Sequence, residues 1–158
     1  MRPSASRSRG HQARGTRRLS RLLVVQGLYQ WALSGESPTQ IELYLAESDE
    51  FKAADQAYFQ TCFRGVLESQ AALQALIEAA LDRPWAQVSP VEQGILMLGV
   101  FELRDAPEVP YRVVINEAVE LSKSLGGNEG HRYVNGVLDR MAPQLRPHEC
   151  QAEAARGQ

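Results

Sequence analysis

Four arginines, Arg14, Arg17, Arg18 and Arg21, run into the amphipathic stretch from Leu19 to Leu33 with no acid among them. At about 100° per residue they fall within roughly one quadrant of a helix. A row of flat, forked guanidinium donors matches phosphate oxygens, so the chemistry this spacing offers is capture of an anion, above all a nucleic-acid backbone. Cations in the first turns of a helix oppose its macrodipole by about 0.3–1 kcal/mol each, and stability alone does not select them there. A second cluster lies far along the chain. Arg132, Tyr133, Gly136 and Arg140, with Glu129 a turn earlier, share a quadrant beside the apolar stripe of Val134, Val137 and Met141. An exposed Tyr133 between guanidinium groups is a platform for an unpaired base, where stacking contributes roughly 1–3 kcal/mol. The competing readings are a solvated basic face or an Arg- and Ser-rich targeting peptide for the first cluster. For the second, Tyr133 lies instead across a neighbouring helix.

The charge distribution favours a ligand for the first cluster. The first 35 residues hold seven arginines and no acid, and the remainder holds ten basic and nineteen acidic residues, so a chain of net charge −2 divides into a cationic arm and an acidic body. The positive charge continues into a helix that reads as part of the core, which argues against a cleaved targeting peptide. Arg2, Arg7 and Arg9 belong to a basic tail that adds attraction but little geometry.

The elements that position these groups are helical, because apolar residues recur at three and four and no stretch alternates with period two. The expected fold is all-α, one compact domain of about six or seven helices. On the first helix Leu19, Leu22, Tyr29 and Leu33 are expected to pack inward and the four arginines to face water or a ligand. Ser37-Pro38-Thr39-Gln40 and Ser89-Pro90-Val91-Glu92 read as capping boxes with proline at the first helical position. The acidic run Glu47 to Glu50 reads as a loop. A long helical pattern from Asp55, with a possible break near Gly65, ends at Pro84. The segment through Ile95, Leu98 and Phe101 is apolar enough to be central. Gly126 and Gly127 close the next helix, and Pro143 stops the last one. Residues 1–13 and 148–158 are expected to be disordered tails around a domain spanning 14–147.

Several functions find little in the sequence. Cys62 and Cys150 stand alone, without metal-ligand or redox spacing, so no metal and no cofactor is expected. The longest apolar stretch is far short of a membrane span, and a soluble cytoplasmic protein is expected. The glycines from Gly126 to Gly130 follow no strand and precede no Gly-Lys-Ser/Thr, which removes a phosphate-loop reading. No nucleophile, base and orienting residue can be assembled, and no enzyme activity is expected.

The runs Val114-Ile115-Asn116-Glu117-Ala118-Val119-Glu120-Leu121-Ser122-Lys123-Ser124 and His131-Arg132-Tyr133-Val134-Asn135-Gly136-Val137-Leu138-Asp139 resemble the NusB family of bacterial transcription antitermination proteins. Arg17-Arg18-Leu19-Ser20-Arg21, Gln26-Gly27-Leu28-Tyr29-Gln30-Trp31 and Val109-Pro110-Tyr111 extend the likeness, which covers about Arg14 to Pro147. The resemblance implies two packed helical bundles. It also implies binding of the boxA element of ribosomal RNA transcripts together with ribosomal protein S10, within an elongation complex holding other antitermination factors. By position, Arg17, Arg18 and Arg21 match the family's arginine-rich motif, with Leu19 interrupting it and Arg14 able to supply the missing contact. Arg132 and Tyr133 match the last-helix region near the RNA, and Glu129 an acidic position beside it. The acidic body suits a basic ribosomal partner. Two alternatives remain: a helical protein-interaction scaffold, and an RNA-binding domain like those fused to ribosomal RNA methyltransferases.

Overall fold

The computed structural model describes residues 5–125 and 130–157, with side chains from residue 16 onward. The described residues form α1 (Ala5–Ser34), α2 (Pro38–Ala46), α3 (Asp49–Ala53), α4 (Gln56–Glu68), α5 (Gln70–Glu78), α6 (Pro90–Asp105), α7 (Tyr111–Leu125), α8 (Gly130–Leu145) and α9 (Pro147–Arg156), with a 3-10 turn at Trp85–Gln87. The all-α expectation holds, with more helices than expected. Only the first half of the acidic run, Glu47 and Ser48, is a turn: the Ser48 hydroxyl accepts the Phe51 N–H at 3.1 Å and starts α3 with Asp49 and Glu50 in the first turn, where the dipole favours them. The long pattern after Asp55 breaks at Ser69 rather than Gly65. Residues 148–156, expected in a disordered tail, belong to α9, and α1 begins at Ala5 rather than near residue 14. Gly126, Gly127 and Glu129 lie outside the described residues. No described helix is long and apolar enough to cross a membrane.

Contacts divide the chain into two compact units, one up to Gly65 and one from Val66 on. In the first, α1 ends where Gly35 takes a positive φ of 68° and donates its N–H to the Trp31 carbonyl at 3.2 Å. The Ser37 hydroxyl then accepts the Gln40 N–H at 3.2 Å, in keeping with the capping box. The buried side of α1 is formed by Ser20, Leu23, Val24, Gly27 and Leu28, whereas Tyr29 and Leu33 are exposed. Inward packing of those two residues is thereby corrected. The stretch 19–33 is apolar on more than one side, so periodicity alone left two candidate arcs. Phe51, Phe59 and Phe63 fill the unit, with ring centroids 5.3 Å apart edge-on for the first pair and 5.4 Å stacked for the second.

In the second unit every residue of α6 from Gly94 to Leu103 is buried, and α5, α7 and α8 pack around it. The Ser89 cap is present, accepting the Glu92 N–H at 3.2 Å. Gly99 lets α8 approach: a Cβ there would lie 3.1 Å from Leu138 Cδ1. Leu76 of α5 is exposed, while Leu73 and Ile77 are buried. Pro143 does not stop α8, which continues to Leu145. Arg146 then turns back into the core, donating to the carbonyls of Leu103 at 2.6 Å, Glu102 at 3.1 Å and Ala106 at 2.8 Å. Those carbonyls lie at the end of α6; the Glu102 and Ala106 carbonyls also accept the N–H groups of Ala106 and Val109, each at 3.0 Å, and the guanidinium adds a further bond to each as well as one to the Leu103 carbonyl.

Charge rather than apolar burial holds α9, which buries no residue. Glu149 pairs with Arg146 and accepts the first N–H of α7, from Tyr111, at 3.0 Å. Glu153 accepts the Tyr111 hydroxyl at 2.5 Å and the Arg112 guanidinium at 2.6 Å. The Arg112 bond and then the Tyr111 bond hold the Glu153 carboxyl below its ordinary value of 4.5. A depressed carboxyl contributes stability above its unfolded value and loses it as pH falls through the folded one. In acid below about pH 4.5, the protection of α9 amides relative to their intrinsic exchange rates is therefore expected to fall while that of α6 holds. Equal protection of the two helices throughout would contradict this account of α9.

Glycine positions give a second test. At Gly27 an added Cβ would sit 2.8 Å from Phe63 Cε2 and 3.2 Å from Leu45 Cδ1, whereas at Gly136 it would meet only Arg140 Nη1 at 3.7 Å. Helix propensity favours alanine by about 1 kcal/mol at both, and overpacking costs roughly 1–3 kcal/mol at the first alone. Gly27→Ala is expected to lower the denaturant midpoint and Gly136→Ala to raise it, both at unchanged m-value.

Candidate nucleic-acid interface

The first cluster is built on a junction between α1 and α4. The Ser20 hydroxyl donates to the carbonyls of Thr16 at 2.9 Å and Asp55 at 2.7 Å, and the Asp55 N–H returns to the Thr16 carbonyl at 3.2 Å. Asp55 also caps α4, its Oδ1 accepting the Tyr58 N–H at 3.0 Å. This fixes Tyr58 beneath the arginines of α1. The Arg17 guanidinium lies 4.3 Å from the Tyr58 ring centroid and its Nε 3.7 Å from Asp55 Oδ2, while the Arg21 guanidinium lies 5.4 Å from the same ring.

The four arginines therefore do not share one outward face. Arg18 is exposed, the Arg17 side chain is 37 % exposed, and Arg21 is only 4 % exposed. The expectation that all four face water is corrected for Arg21, because the buried arc of α1 reaches further round the helix than the apolar pattern shows. Aliphatic stems allow this: arginine packs its methylenes and places its charge over the Tyr58 face. The side chain of Arg14 lies outside the described residues.

The second cluster is centred on α8. Arg132 is exposed; Arg140 reaches back, its Nη2 donating to the Ala80 carbonyl at 3.1 Å. Tyr133 is half-buried rather than exposed, which corrects the free-platform expectation. Arg83, from the connector between α5 and α6, covers its ring with the guanidinium carbon 4.0 Å from the centroid. Arg83 Nε also donates to Asp82 Oδ1 at 3.0 Å, and that hydrogen bond holds the Asp82 carboxyl below its usual range. Burial raises the Tyr133 phenol above its ordinary value, so it stays neutral and protonated at physiological pH. Its hydroxyl oxygen is buried with no hydrogen-bond partner among the described residues. Glu129 lies outside them.

Arg83 is not among the residues that the sequence singles out. Asp82-Arg83-Pro84 is legible only as a helix stop, and nothing in local spacing links position 83 to position 133. Among the described residues no group of three His, Cys, Asp or Glu is placed to hold a metal ion.

An all-α chain whose first helix is cationic, and whose last long helix carries a tyrosine among arginines, has the build of a helical nucleic-acid-binding factor. The NusB family profile matches residues 18–143. The chain is 47 % identical over 155 residues to the transcription antitermination protein NusB of Nitrosomonas eutropha, covering 98 % of this chain and 93 % of that one. It is 50 % identical over 133 residues to that of Nitrosospira multiformis, with 84 % of each covered. The chain belongs to the NusB family, whose members are transcription antitermination proteins. Among solved structures, NusB of T. maritima superposes with a TM-score of 0.73 at 28 % identity, over 81 % of this chain and 91 % of that one. A crystal structure of antitermination factors NusB and NusE with dsRNA has the same fold, with a TM-score of 0.71 at 24 % identity over 82 % of this chain and 97 % of that one.

The burial gradient along α1 predicts how alanine substitutions rank. Arg21→Ala removes a buried guanidinium and its packing on Tyr58 and is expected to cost about 2 kcal/mol or more. Arg17→Ala should cost about 1 kcal/mol, and Arg18→Ala less than about 0.5 kcal/mol. Thermal melts check the order; a destabilising Arg18→Ala with a neutral Arg21→Ala would reverse the assignment of inward and outward arginines.

Proposed function

We propose that this chain acts in the cytoplasm as a non-enzymatic antitermination factor that binds boxA RNA of ribosomal RNA transcripts with ribosomal protein S10, in an elongation complex with other antitermination factors. The observation that carries the reading is the acid-free, arginine-bearing start of α1 in an otherwise acidic chain of this family. Arg18, with Arg17 and Arg14, supplies phosphate contacts, which position RNA without reading it. Arg132 and Arg140 flank Tyr133, and the tyrosine supplies the base contact that phosphate-bound arginines cannot. Arg21 supports the surface from beneath, and Glu129 is a position beside the base-reading region. The related complex of NusB and NusE with dsRNA supports both an RNA ligand and a NusE (S10) partner.

The S10 surface is assigned to the first unit, in a groove of about 410 Å3 lined by Leu22, Gln26, Tyr44 and Leu45 and rimmed by Glu47 and Glu50. Tyr44 and its neighbour Leu43 are each 65 % exposed, an apolar surface with a negative edge that complements a basic ribosomal protein.

Fluorescence anisotropy with boxA and scrambled RNA, with and without S10, tests the reading. About three phosphate contacts to single-stranded RNA give a log–log salt slope near −2, roughly twenty-fold weaker binding from 50 to 200 mM salt. Tyr133→Ala should reduce binding of boxA more than of scrambled RNA, and Tyr133→Phe should be mild. Glu47→Lys with Glu50→Lys should weaken S10 capture without weakening binding to RNA alone. Indifference to both boxA sequence and S10 would return the chain to the scaffold alternative.

A further inference from the structure

The stack of Arg83 on Tyr133 occupies space that the function described above requires. A base stacks on an aromatic ring at van der Waals separation, and the Arg83 guanidinium already sits 4.0 Å from the ring centroid, leaving no room for a base between them. We propose that Arg83 is a displaceable cover over Tyr133, a specificity-determining residue that a base must dislodge to reach the ring. The inference rests on the base-platform reading of Tyr133.

Three observations on the connector support a side chain that swings while its backbone stays. The segment carrying Arg83 is tied to α8 by the Arg140 bond to the Ala80 carbonyl at 3.1 Å, and to α6 by the Gln93 Nε2 bond to the Trp85 carbonyl at 3.0 Å. Position 83 lies between these two ties, so the Arg83 backbone is held next to α8. The side chain is not held in the same way. It is 43 % exposed; it stacks on the Tyr133 ring and hydrogen-bonds Asp82, whose side chain is 67 % exposed, with Glu92 adding only a longer-range attraction. Exposed contacts of both kinds are weak enough for a ligand to compete with them.

A guanidinium is planar, cationic and similar in breadth to a pyrimidine, so the molecule fills its own base site with a mimic. The cover then acts as a filter: contact with Tyr133 is favourable only when the incoming base stacks better than the guanidinium it replaces. Flanking cations attract any RNA equally, whereas the covered ring does not.

The test compares the full chain with Arg83→Ala, Tyr133→Ala and the double variant. The probes are boxA RNA and boxA RNAs carrying single abasic sites, at several salt concentrations. Removing the cover is expected to tighten boxA binding roughly two- to five-fold, the loss of one exposed cation–π contact, with no change in salt slope. It should leave unchanged the affinity for the RNA whose abasic site abolishes the Tyr133 effect, and have no effect in the Tyr133→Ala background. Weaker binding with a salt slope shallower by about 0.7 would make Arg83 an ordinary phosphate contact and overturn the proposal. Unchanged binding in Arg83→Ala, with Tyr133→Ala still losing base preference, would overturn it too, showing that the base reaches Tyr133 by another face. If Tyr133→Ala loses no base preference at any position, the platform reading itself falls, and the cover with it.

Discussion

The second unit depends on a helix that, from Gly94 to Leu103, has no exposed side. With Gly94 to Leu103 buried throughout, α6 can be stable only inside a jacket of other helices, and the jacket must also deal with the carbonyls at its end. Arg146 does so with three main-chain bonds and an ion pair to Glu149, an arrangement that makes a charge 7 % exposed tolerable. The same residue fixes the exit of α8 and the start of α9. Since Gly99 sets how closely α8 approaches α6, the position of Tyr133 and its neighbours on the outer side of α8 follows from packing at Leu138 on the inner side. Placement of the base-reading candidate is thus a consequence of core geometry.

In the first unit the governing problem is how a helix can be cationic and buried together. The Ser20, Thr16 and Asp55 contacts pull the start of α1 against α4, and this would bury Arg17 and Arg21 at high cost without compensation. Tyr58 offers an aromatic face to both guanidinium groups, and Asp55 a carboxylate to one of them. Arg18, one residue and about 100° further round than Arg17, stays exposed. Among Arg17, Arg18 and Arg21 the patch becomes a graded series in which exposure, and with it availability to a phosphate, differs from one arginine to the next.

Much of the architecture is legible in the sequence because it rests on local chemistry. Ser37 and Ser89 cap the helices their spacing announces, and α6 declares its central position by composition. What periodicity cannot settle is which of two apolar arcs of α1 faces inward. The answer lies in Phe63 meeting Gly27 and in Asp55 meeting Ser20, contacts between distant positions. The candidate site is legible as residue types, since arginines and a tyrosine at helical spacing do suggest phosphate and base. Its state is not. That Tyr133 is covered follows from Arg83, fifty residues earlier, and no pattern within either segment reports the pairing.

Charge and selectivity place opposed demands on an RNA-binding surface, and the two clusters meet them differently. Phosphate contacts lower the free energy of every RNA alike, so adding arginines strengthens binding without improving choice. Selectivity needs a contact whose net value depends on the base, and an open aromatic gives little of that because every base has a face to stack. An aromatic already satisfied by a guanidinium is different. Its net contribution is the difference between two stacking energies of similar size; the displacement cost is common to every base and leaves their ranking unchanged, but it confines a net gain from the ring to the bases that stack best. The consequence is weaker binding, and the cationic start of α1 is the feature that can offset it.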